Sequence, residues 1–311
     1  MKALITGGSG FIGSNVTKKV LSEGCEARIL DNLSSGYRSN LDGLDIEFIE
    51  GDVTDSETVE KACRGVDAVF HLAASVGRQR SIDFPQVDSM TNLIGTINVL
   101  EGMRKNGVSK IVYSSSAAIF GELETYFIDE THPQNADSPY GVSKLAAEKM
   151  ILAFSGIYKE ITGVCLRYFN IYGVNQCFDL YGNVIPIFAK RLYSGEPLTI
   201  YGDGEQTRDF VNVHDVAMAN FLGMQSSKTD VYNIGSGTSV TINSLAKLMQ
   251  KISGIQTEIK YAPERPADVR HCRANAQKAL DGLGFKASVD LETGLDEYLK
   301  WFKDSCKIWG H

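Results

Sequence analysis

The first residues of the chain place a glycine-rich loop between a short apolar strand and a helix, and this arrangement restricts the fold more than any other feature. Residues 2–6 predict a buried strand, and the pattern G-x-G-x-x-G follows at Gly8, Gly10 and Gly13. Small residues let the backbone approach a pyrophosphate, and the N–H groups and dipole at a helix N-terminus favour anions. The pattern therefore predicts a dinucleotide site. The loop residues expected to contact the dinucleotide are Gly7, Gly10, Phe11, Ile12 and Gly13.

A second predicted strand, residues 26–30, ends at Asp31. In dinucleotide-binding folds an acidic residue at this distance from the glycine loop reaches the ribose 2′-hydroxyl. A carboxylate there would repel a 2′-phosphate, so the sequence favours NAD over NADP. Arg38 follows the strand by several residues, and we do not assign it to a 2′-phosphate.

Predicted strands and helices continue to alternate along the first half of the chain. In order they are strand 45–50, helix 56–63, strand 67–72, helix 88–105, strand 111–114, helix 140–158 and strand 164–168. This alternation predicts an α/β fold of the Rossmann type, a doubly wound parallel sheet whose ligands lie at the carboxyl ends of its strands. The residues at those ends that we expect to face the dinucleotide are Asp52, Val53, Ala73, Ala74 and Ser114.

Tyr140 and Lys144 lie four residues apart at the start of a predicted helix, just after Pro139. At this spacing both side chains leave one face of the helix, so the ammonium is expected over the phenol. A free phenol has a pKa near ~10 and is a poor base at neutral pH. A neighbouring cation favours the phenolate. We therefore expect Lys144 to lower the pKa of Tyr140 until the phenol can take a proton from a hydroxyl group.

The regular alternation ends after Asn170. Later segments predict a helix at 183–193, a strand at 198–201 and a strand at 210–213, with His214 and Asp215 capping a helix that begins near 216. We divide the chain into an NAD-binding domain, 1–170, and a smaller C-terminal α/β part, 171–311, that is mainly a substrate-binding lid. A segment at about 205–225 is expected to return to the first domain.

Composition excludes several classes of function. The 311 residues are 43% hydrophobic and 22% charged, which is typical of a globular protein, and the net charge of -7 argues against a nucleic-acid surface. No apolar run approaches the length of a membrane span, and the first residues lack the pattern of a signal peptide. The six cysteines have no metal-ligand spacing, so they predict free thiols in a reducing cytoplasm. We expect a cytoplasmic protein without a metal, a membrane or a nucleic acid as partner.

Longer motifs occur in a fixed order through nearly the whole chain. They are TGGSGFIGS at 6–14, DNLSSG at 31–36, GDV at 51–53, HLAA at 71–74, SSSAAIFG at 114–121, SPYGVSK at 138–144, LRYFNIYG at 166–173, LTIYGDGEQTRDFVNVHDVA at 198–217 and RPADV at 265–269. With these motifs the chain resembles the extended short-chain dehydrogenase/reductase family and, within it, the UDP-sugar 4-epimerases.

The resemblance implies a three-step reaction. Tyr140 removes the proton of the sugar C4 hydroxyl while hydride passes to NAD, the 4-ketopyranose turns about its diphosphate, and hydride returns to the opposite face. Lys144 is then expected to orient the nicotinamide ribose, Ser116 to hydrogen-bond the reacting hydroxyl, and NAD to stay tightly bound. The further cofactor contacts that the resemblance implies are Asn32, Ser35, Leu72, Asn92 and Tyr168, beside Tyr140 and Lys144.

The resemblance also implies the residues that hold a UDP-sugar. Asn170, Arg208 and Arg265 match diphosphate contacts, Asp268 matches a contact to the uridine ribose, and Tyr201 lies where uracil is held. Other contacts to the substrate are expected from Ser116, Tyr140, Asn183, Val184 and Cys272. Family members commonly dimerise through the helix before the Ser114 strand and the Tyr140 helix, so a homodimer is expected.

Other members of the family give alternative functions. Sugar-nucleotide 4,6-dehydratases carry an acidic pair and UDP-glucuronate decarboxylases a glutamate where this chain has Ala117-Ala118, which favours an epimerase. A non-catalytic NAD-sensing protein on the same scaffold typically loses the tyrosine, which is present here. Cys272 occupies the position at which a bulky tyrosine excludes N-acetylhexosamines. Its small side chain therefore predicts activity on UDP-GlcNAc and UDP-GalNAc as well as on UDP-glucose and UDP-galactose.

A UDP-glucuronate 4-epimerase remains the second interpretation. Residues 75–80 are more basic than a neutral sugar requires, and Arg78 or Arg80 is placed to meet a uronate carboxylate. Against this interpretation, the Gly-Arg-Pro-Asp segment that some uronate epimerases carry is missing between Gly173 and Gly182.

Overall fold

The computed structural model of the chain describes residues 1–178, 183–264 and 270–309, the last four of them as backbone only. In chain order its strands are β1 (Lys2–Thr6), β2 (Glu26–Asp31), β3 (Ile46–Glu50), β4 (Ala68–His71), β5 (Lys110–Ser116), β6 (Phe127–Ile128), β7 (Thr162–Tyr168), β8 (Asn170–Tyr172), β9 (Leu198–Tyr201), β10 (Thr207–Arg208), β11 (Phe210–Asn212), β12 (Asp230–Ile234), β13 (Val240–Thr241), β14 (Ile259–Ala262) and β15 (Arg273–Ala274).

The helices are α1 (Phe11–Ser22), α2 (Ser56–Ala62), α3 (Arg78–Asp83), α4 (Pro85–Ser89), α5 (Gly95–Asn106), α6 (Pro139–Ile157), α7 (Val184–Tyr193), α8 (Val213–Gln225), α9 (Ile242–Ser253), α10 (Gln277–Leu283) and α11 (Leu291–Trp309). A π-helical turn, Met90–Ile94, joins α4 to α5 without a break. Among the described residues, no helix is both long and apolar enough to cross a bilayer.

Seven parallel strands form the central sheet in the order β3-β2-β1-β4-β5-β7-β12. The strand order reverses beside β1, which pairs with β2 on one side and β4 on the other. Right-handed crossover connections then place helices on both faces of the sheet. The predicted doubly wound parallel sheet is confirmed.

Two hydrophobic layers cover the faces of this sheet. One contains Val16 of α1 and Val216 of α8, and the other contains Val59 of α2, Met103 of α5 and Ile151 of α6, all fully buried. A strand that is buried on both faces needs apolar residues at successive positions. This requirement explains why the sequence pattern located the central strands well.

The C-terminal part contributes one strand to the sheet that the sequence analysis did not predict. After β11, α8 packs against α1, and β12 then pairs in parallel with β7. The segment that returns to the sheet therefore reaches Ile234, beyond the expected 225. The remaining elements, α7, β9, α9 and α11, surround a separate hydrophobic cluster. The division into an NAD-binding domain and a lid remains a prediction.

The start of α8 differs from the prediction. The helix begins at Val213, and the side chain of Asn212 accepts a hydrogen bond from the His214 N–H at 2.8 Å. The expected cap at His214 and Asp215 is therefore wrong, because the helix begins earlier and the Asn212 side chain caps it. Asp215 instead accepts hydrogen bonds from the N–H groups of Ser288 and Val289, which attaches the C-terminal segment to α8.

A buried ion pair joins α6 to the sheet. Arg167 of β7 donates to both carboxylate oxygens of Glu148, at 2.7 and 3.1 Å, and neither side chain is more than 1% exposed. Ser115 of β5 donates to the same carboxylate at 2.7 Å, and Arg167 also donates to the Glu130 carbonyl at 3.0 Å. These contacts satisfy the polar atoms of a pair that would otherwise be costly to bury.

We predict that Glu148→Gln lowers the free energy of unfolding by about 3–5 kcal/mol, because it leaves the Arg167 guanidinium buried without a counter-ion. Denaturant-induced unfolding measures this change. Glu101→Gln is the matched control, since Glu101 pairs with Arg104 at 2.7 Å on an exposed helix face, and its removal should cost much less. Equal losses in the two variants would contradict the prediction.

Candidate active site

The glycine loop after β1 forms a cradle that has no room for side chains. Gly7 has a φ of +69°, and a Cβ atom on it would lie 2.7 Å from the Ala73 nitrogen. A Cβ atom on Gly13 would lie 2.0 Å from the Gly7 oxygen. Gly10 is the N-cap of α1 and provides no side-chain cap, and the first turn of α1 carries no acidic residue. The N–H groups of Phe11 and its neighbours are therefore open to an anion.

Asp31 lies at the carboxyl end of β2 and is held there by backbone groups. Its two carboxylate oxygens accept hydrogen bonds from the N–H groups of Ser9 and Leu33, each at 2.8 Å. Arg38 does not face this carboxylate as a phosphate ligand would, because its guanidinium lies over the Phe48 ring, 4.3 Å from the centroid. A fixed acidic group without a competing arginine fits a ribose 2′-hydroxyl better than a 2′-phosphate.

The other predicted cofactor contacts line the same edge of the sheet. Asn32 donates to Asp52 at 2.6 Å, which connects the ends of β2 and β3. The N–H groups of Leu72 and Ala73 each lie 3.2 Å from the Thr6 hydroxyl, so the end of β4 is drawn against the glycine loop. Val53 is buried beside Gly95, Ala74 follows β4, and Ser35 is exposed in the loop after β2. Together the cradle, the open helix terminus and Asp31 fit an NAD-type dinucleotide.

The structure brings the side chain of Tyr140 of α6 close to that of Ser116 at the end of β5. The Ser116 hydroxyl also accepts from the Ala118 N–H at 3.1 Å, which fixes its orientation. Tyr140 is half-buried. Burial raises the pKa of the phenol to about 12, and the Ser116 hydrogen bond opposes this rise while the charge of Asp88 adds to it.

Lys144 is almost completely buried one turn after Tyr140. Its ammonium donates to the Ser114 carbonyl at 2.7 Å and lies 4.9 Å from the centroid of the Tyr113 ring. Burial lowers the pKa of Lys144 to about 7, and the charge of Asp88 raises it in part. The expectation that Lys144 lowers the pKa of Tyr140 is therefore wrong for the ligand-free protein. Desolvation of the phenol determines the direction, and the ammonium is bound to the β5 backbone.

Asn92 and Tyr168 are held by hydrogen bonds inside the protein. Asn92, in the π-helical turn, accepts from the Ser75 N–H at 2.8 Å and donates to the Ser75 carbonyl at 3.0 Å. The hydroxyl of Tyr168 accepts from Asn220 of α8 at 2.8 Å and lies close to the Ser114 side chain. Both residues thus support the loops at the ends of β4 and β5. Direct contact with a cofactor remains a prediction for them, as for the other cofactor residues.

Of the predicted substrate contacts, Asn170, Arg208 and Cys272 lie near the ends of β7 and β8. Asn170 donates to the Asp209 carbonyl at 3.2 Å, and Arg208 donates to the Thr207 carbonyl at 2.8 Å. The positive charge of Arg208 acts on the Cys272 thiol, whose pKa burial nevertheless raises to about 12.

The remaining substrate contacts are in the C-terminal part. Tyr201 ends β9, and its carbonyl accepts from Gln206 at 2.8 Å. Asn183 is the N-cap residue of α7 without a side-chain hydrogen bond, and Val184 begins that helix. Arg265 and Asp268 lie outside the described residues.

Two buried carboxylates at the site were not identified from the sequence. Asp209 accepts from the N–H groups of Ser236, Gly237 and Ala274 at 2.7–3.0 Å, and so holds the segments on either side of Arg208 and Cys272 together. Asp88 lies under α6. The only sequence signals were that Asp209 follows Arg208 directly and that Asp88 precedes Asn92 by one helical turn.

Known proteins match this chain over nearly its full length. Residues 3–235 match the model of the NAD dependent epimerase/dehydratase family. A putative UDP-glucose 4-epimerase of Methanocaldococcus jannaschii is 37% identical over 304 residues, which cover 97% of this chain and 98% of that protein.

Two solved structures are similar to nearly the whole chain. The UDP-glucose 4-epimerase of Thermotoga maritima with UDP-glucose has a TM-score of 0.92 at 39% identity, and covers 98% of this chain and 99% of its own. The UDP-N-acetylglucosamine 4-epimerase of Methanobrevibacter ruminantium in complex with UDP-N-acetylmuramic acid has a TM-score of 0.93 at 34% identity, and covers 98% of each chain.

We predict that the Tyr140 phenol of the ligand-free protein stays protonated at pH 10, where half of an unperturbed phenol has ionised. The measurement is the difference in phenolate absorbance between the wild type and Tyr140→Phe during a pH titration. Because burial raises this pKa, the two curves should coincide up to pH 10. A difference of half a tyrosine at that pH would contradict the prediction.

Proposed function

The chain belongs to the NAD-dependent epimerase/dehydratase family, and from that premise we propose that it is a UDP-sugar 4-epimerase acting on UDP-glucose and UDP-galactose. We extend the proposal to UDP-GlcNAc and UDP-GalNAc. The observation that carries it is that Tyr140 and Ser116 lie side by side at the carboxyl end of β5, with Lys144 buried beside them. An acid–base group next to a dinucleotide cradle is what C4 oxidation and re-reduction require.

The protein's own residues supply binding and proton transfer. The glycine loop and the N-terminus of α1 would hold the pyrophosphate of NAD, and Asp31 would hold the ribose 2′-hydroxyl. NAD bound there would supply the hydride acceptor for oxidation at C4 and, once reduced, the hydride donor for the ketone. Lys144, which donates to the Ser114 carbonyl, would hold the neighbouring ribose.

Tyr140 moves the proton in both directions. Tyr140 acts as a base only after its own proton has passed to solvent. The phenolate then takes the proton of the C4 hydroxyl as that carbon is oxidised, and the same proton returns to the C4 oxygen when the ketone is reduced. Ser116 donates or accepts the second hydrogen bond at that oxygen. Because burial raises the pKa of Tyr140 to about 12, the neutral phenol predominates at neutral pH, and an opposite charge close to it would favour the phenolate.

The nucleotide part of the substrate provides the binding energy. Arg208 and Asn170 are positioned by the Asp209 network and suit a diphosphate, since a guanidinium makes paired hydrogen bonds to phosphate oxygens. The sugar needs weaker contacts because it must turn between the two hydride transfers. The predicted roles of Arg265 and Asp268 complete this part of the proposal.

We base the proposed set of UDP-sugar substrates on Cys272. It is 9% exposed and packs with Ile119, Phe120 and Phe169 in a small hydrophobic cluster. A cysteine leaves more space at this position than a tyrosine would, and this supports room for an acetamido group. The similarity to an epimerase named for UDP-N-acetylglucosamine is consistent with this range.

UDP-glucuronate is the alternative substrate. It would need a free cation near the sugar, and Arg78 at the start of α3 instead pairs with Asp137 at 3.2 Å. This pairing favours a neutral sugar. An assay that includes UDP-glucuronate decides between the two.

We also propose that the protein is a homodimer. Val87, Met90 and Ile94 are each more than a third exposed on the continuous helix from α4 to α5, and Phe84, just before α4, is exposed as well. Val142 is exposed on α6, the helix on which α4 packs. Apolar rows of this kind are typical of protein–protein contacts. Sedimentation velocity of the purified protein tests the assignment, and a cytoplasmic location stays a prediction from the sequence.

We predict that Tyr140→Phe lowers kcat for UDP-galactose epimerisation by about 10²–10⁴-fold, because the proton then has no acceptor. Separation of C4 epimers after incubation with each UDP-sugar measures the rate. Cofactor released by denaturation provides the control, since it should be equal in the variant and the wild type. A wild type that retains NAD and converts no UDP-sugar would overturn the proposed function in favour of an NAD-sensing protein.

We predict that Cys272→Tyr abolishes epimerisation of UDP-GlcNAc and spares that of UDP-glucose, because the ring fills the space for the acetamido group. Cys272→Ser is the matched control and should keep both activities. Overpacking of a buried cysteine costs about 1–3 kcal/mol, so thermal unfolding must show that the tyrosine variant remains folded. Equal loss of both activities in a folded variant would refute the role of Cys272.

A further inference from the structure

Asp88 is a fully buried carboxylate that the proposed reaction does not use. It lies in α4, on the side that packs against α6 and the Tyr140–Lys144 pair. A buried carboxylate is costly unless hydrogen bonds and an opposite charge compensate for the lost water. The groups around Asp88 must therefore supply these hydrogen bonds and this charge.

Hydrogen bonds connect Asp88 to α6 and to the loop after β4. The Ser143 hydroxyl donates to one carboxylate oxygen at 2.5 Å, and the Asn92 amide donates to the other at 3.0 Å. Ser143 lies between Tyr140 and Lys144 in the sequence, and Asn92 also bonds Ser75. Asp88 thus lies in one network with the helix that carries the reacting groups.

The opposite charge that acts on Asp88 is Lys144. Burial raises the pKa of Asp88, while the Ser143 hydrogen bond and the charge of Lys144 lower it. In return, Asp88 raises the pKa of Lys144, and within the part of the chain that the structure describes it is the one charged group that acts on this ammonium. Asp88 also raises the pKa of Tyr140. One carboxylate therefore moves both pKa values of the reacting pair in the same direction.

Other titratable groups near the pair do not compensate for Asp88. His71 of β4 is neutral, because burial lowers its pKa to about 3, and Tyr113 of β5 is neutral, because burial raises its pKa. Glu148 of α6 is paired with Arg167 of β7. The charged residues of α3, which also packs on α6, do not act on Lys144 or Asp88; they are Arg78, Arg80 and Asp83.

We infer that Asp88 is a positioning residue that sets the pH range of the reaction, acting through Lys144 and Tyr140 from beneath α6. The inference rests on the proposed function. Asp88 keeps Lys144 an ammonium in a site that otherwise favours the neutral amine. Its negative charge also disfavours the Tyr140 phenolate. A neutral residue that only filled the same space would do neither.

The test is the pH dependence of kcat for the NAD-loaded protein. Asp88→Asn removes the charge and keeps the volume, so both pKa values should fall and the whole bell-shaped profile should move to lower pH by about one unit. Asp88→Ser removes the charge with a smaller side chain and should give the same shift, which covers the case in which the asparagine variant does not fold. Asp88→Glu should return the profile towards that of the wild type.

Asp83→Asn is the matched control. It removes a carboxylate from the neighbouring helix α3 that acts on neither Lys144 nor Asp88, so the profile should stay in place. If the neutral variants of Asp88 reduce kcat by the same factor at every pH, Asp88 has only a structural role and the inference is wrong. That result differs from a failure of the proposed function, in which the wild type itself converts no UDP-sugar at any pH.

Discussion

The attachment of α6 to the edge of β5 is the interaction on which the site depends. Tyr140 and Ser116 belong to different elements, and their side chains come together only because the helix is held on the end of the strand. Lys144 bonds the Ser114 carbonyl at 2.7 Å, and Glu148, one turn later, bonds Ser115 at 2.7 Å. Because both contacts are buried, water cannot replace them. The same side chains therefore determine helix position and site geometry.

Most of the fold followed from the sequence because the central strands are buried on both faces. Continuous apolar runs located β1, β4 and β7 to within two residues, and the loops at their ends located the dinucleotide cradle. The strand β12 was missed, since Asp230–Ile234 is short, contains two polar residues and lies among lid segments. Its partner β7 is far away in the sequence, and only tertiary packing selects it.

The sequence predicted which residues form the site, but it did not predict the direction of their pKa shifts. The motifs indicated Tyr140, Lys144 and Ser116, and the structure places them at one strand end. The direction of the Tyr140 pKa was wrong, because sequence spacing reports neighbours on a helix and does not report desolvation. Asp88 was missed for the same reason. Its effect depends on the packing of α4 against α6, which no local pattern encodes.

The π-helical turn at Met90–Ile94 determines how the side chains after it are rotated about the helix axis relative to those before it. Before it, Asp88 faces α6; after it, Val99 and Met103 face the sheet. Removing one residue there would rotate the second half by about 100° relative to the first, so that one of the two faces would be lost. A change in the length of this helix should therefore be tolerated less well than a substitution along it. Relatives that share the site should have the same number of residues between the positions of Asp88 and Val99.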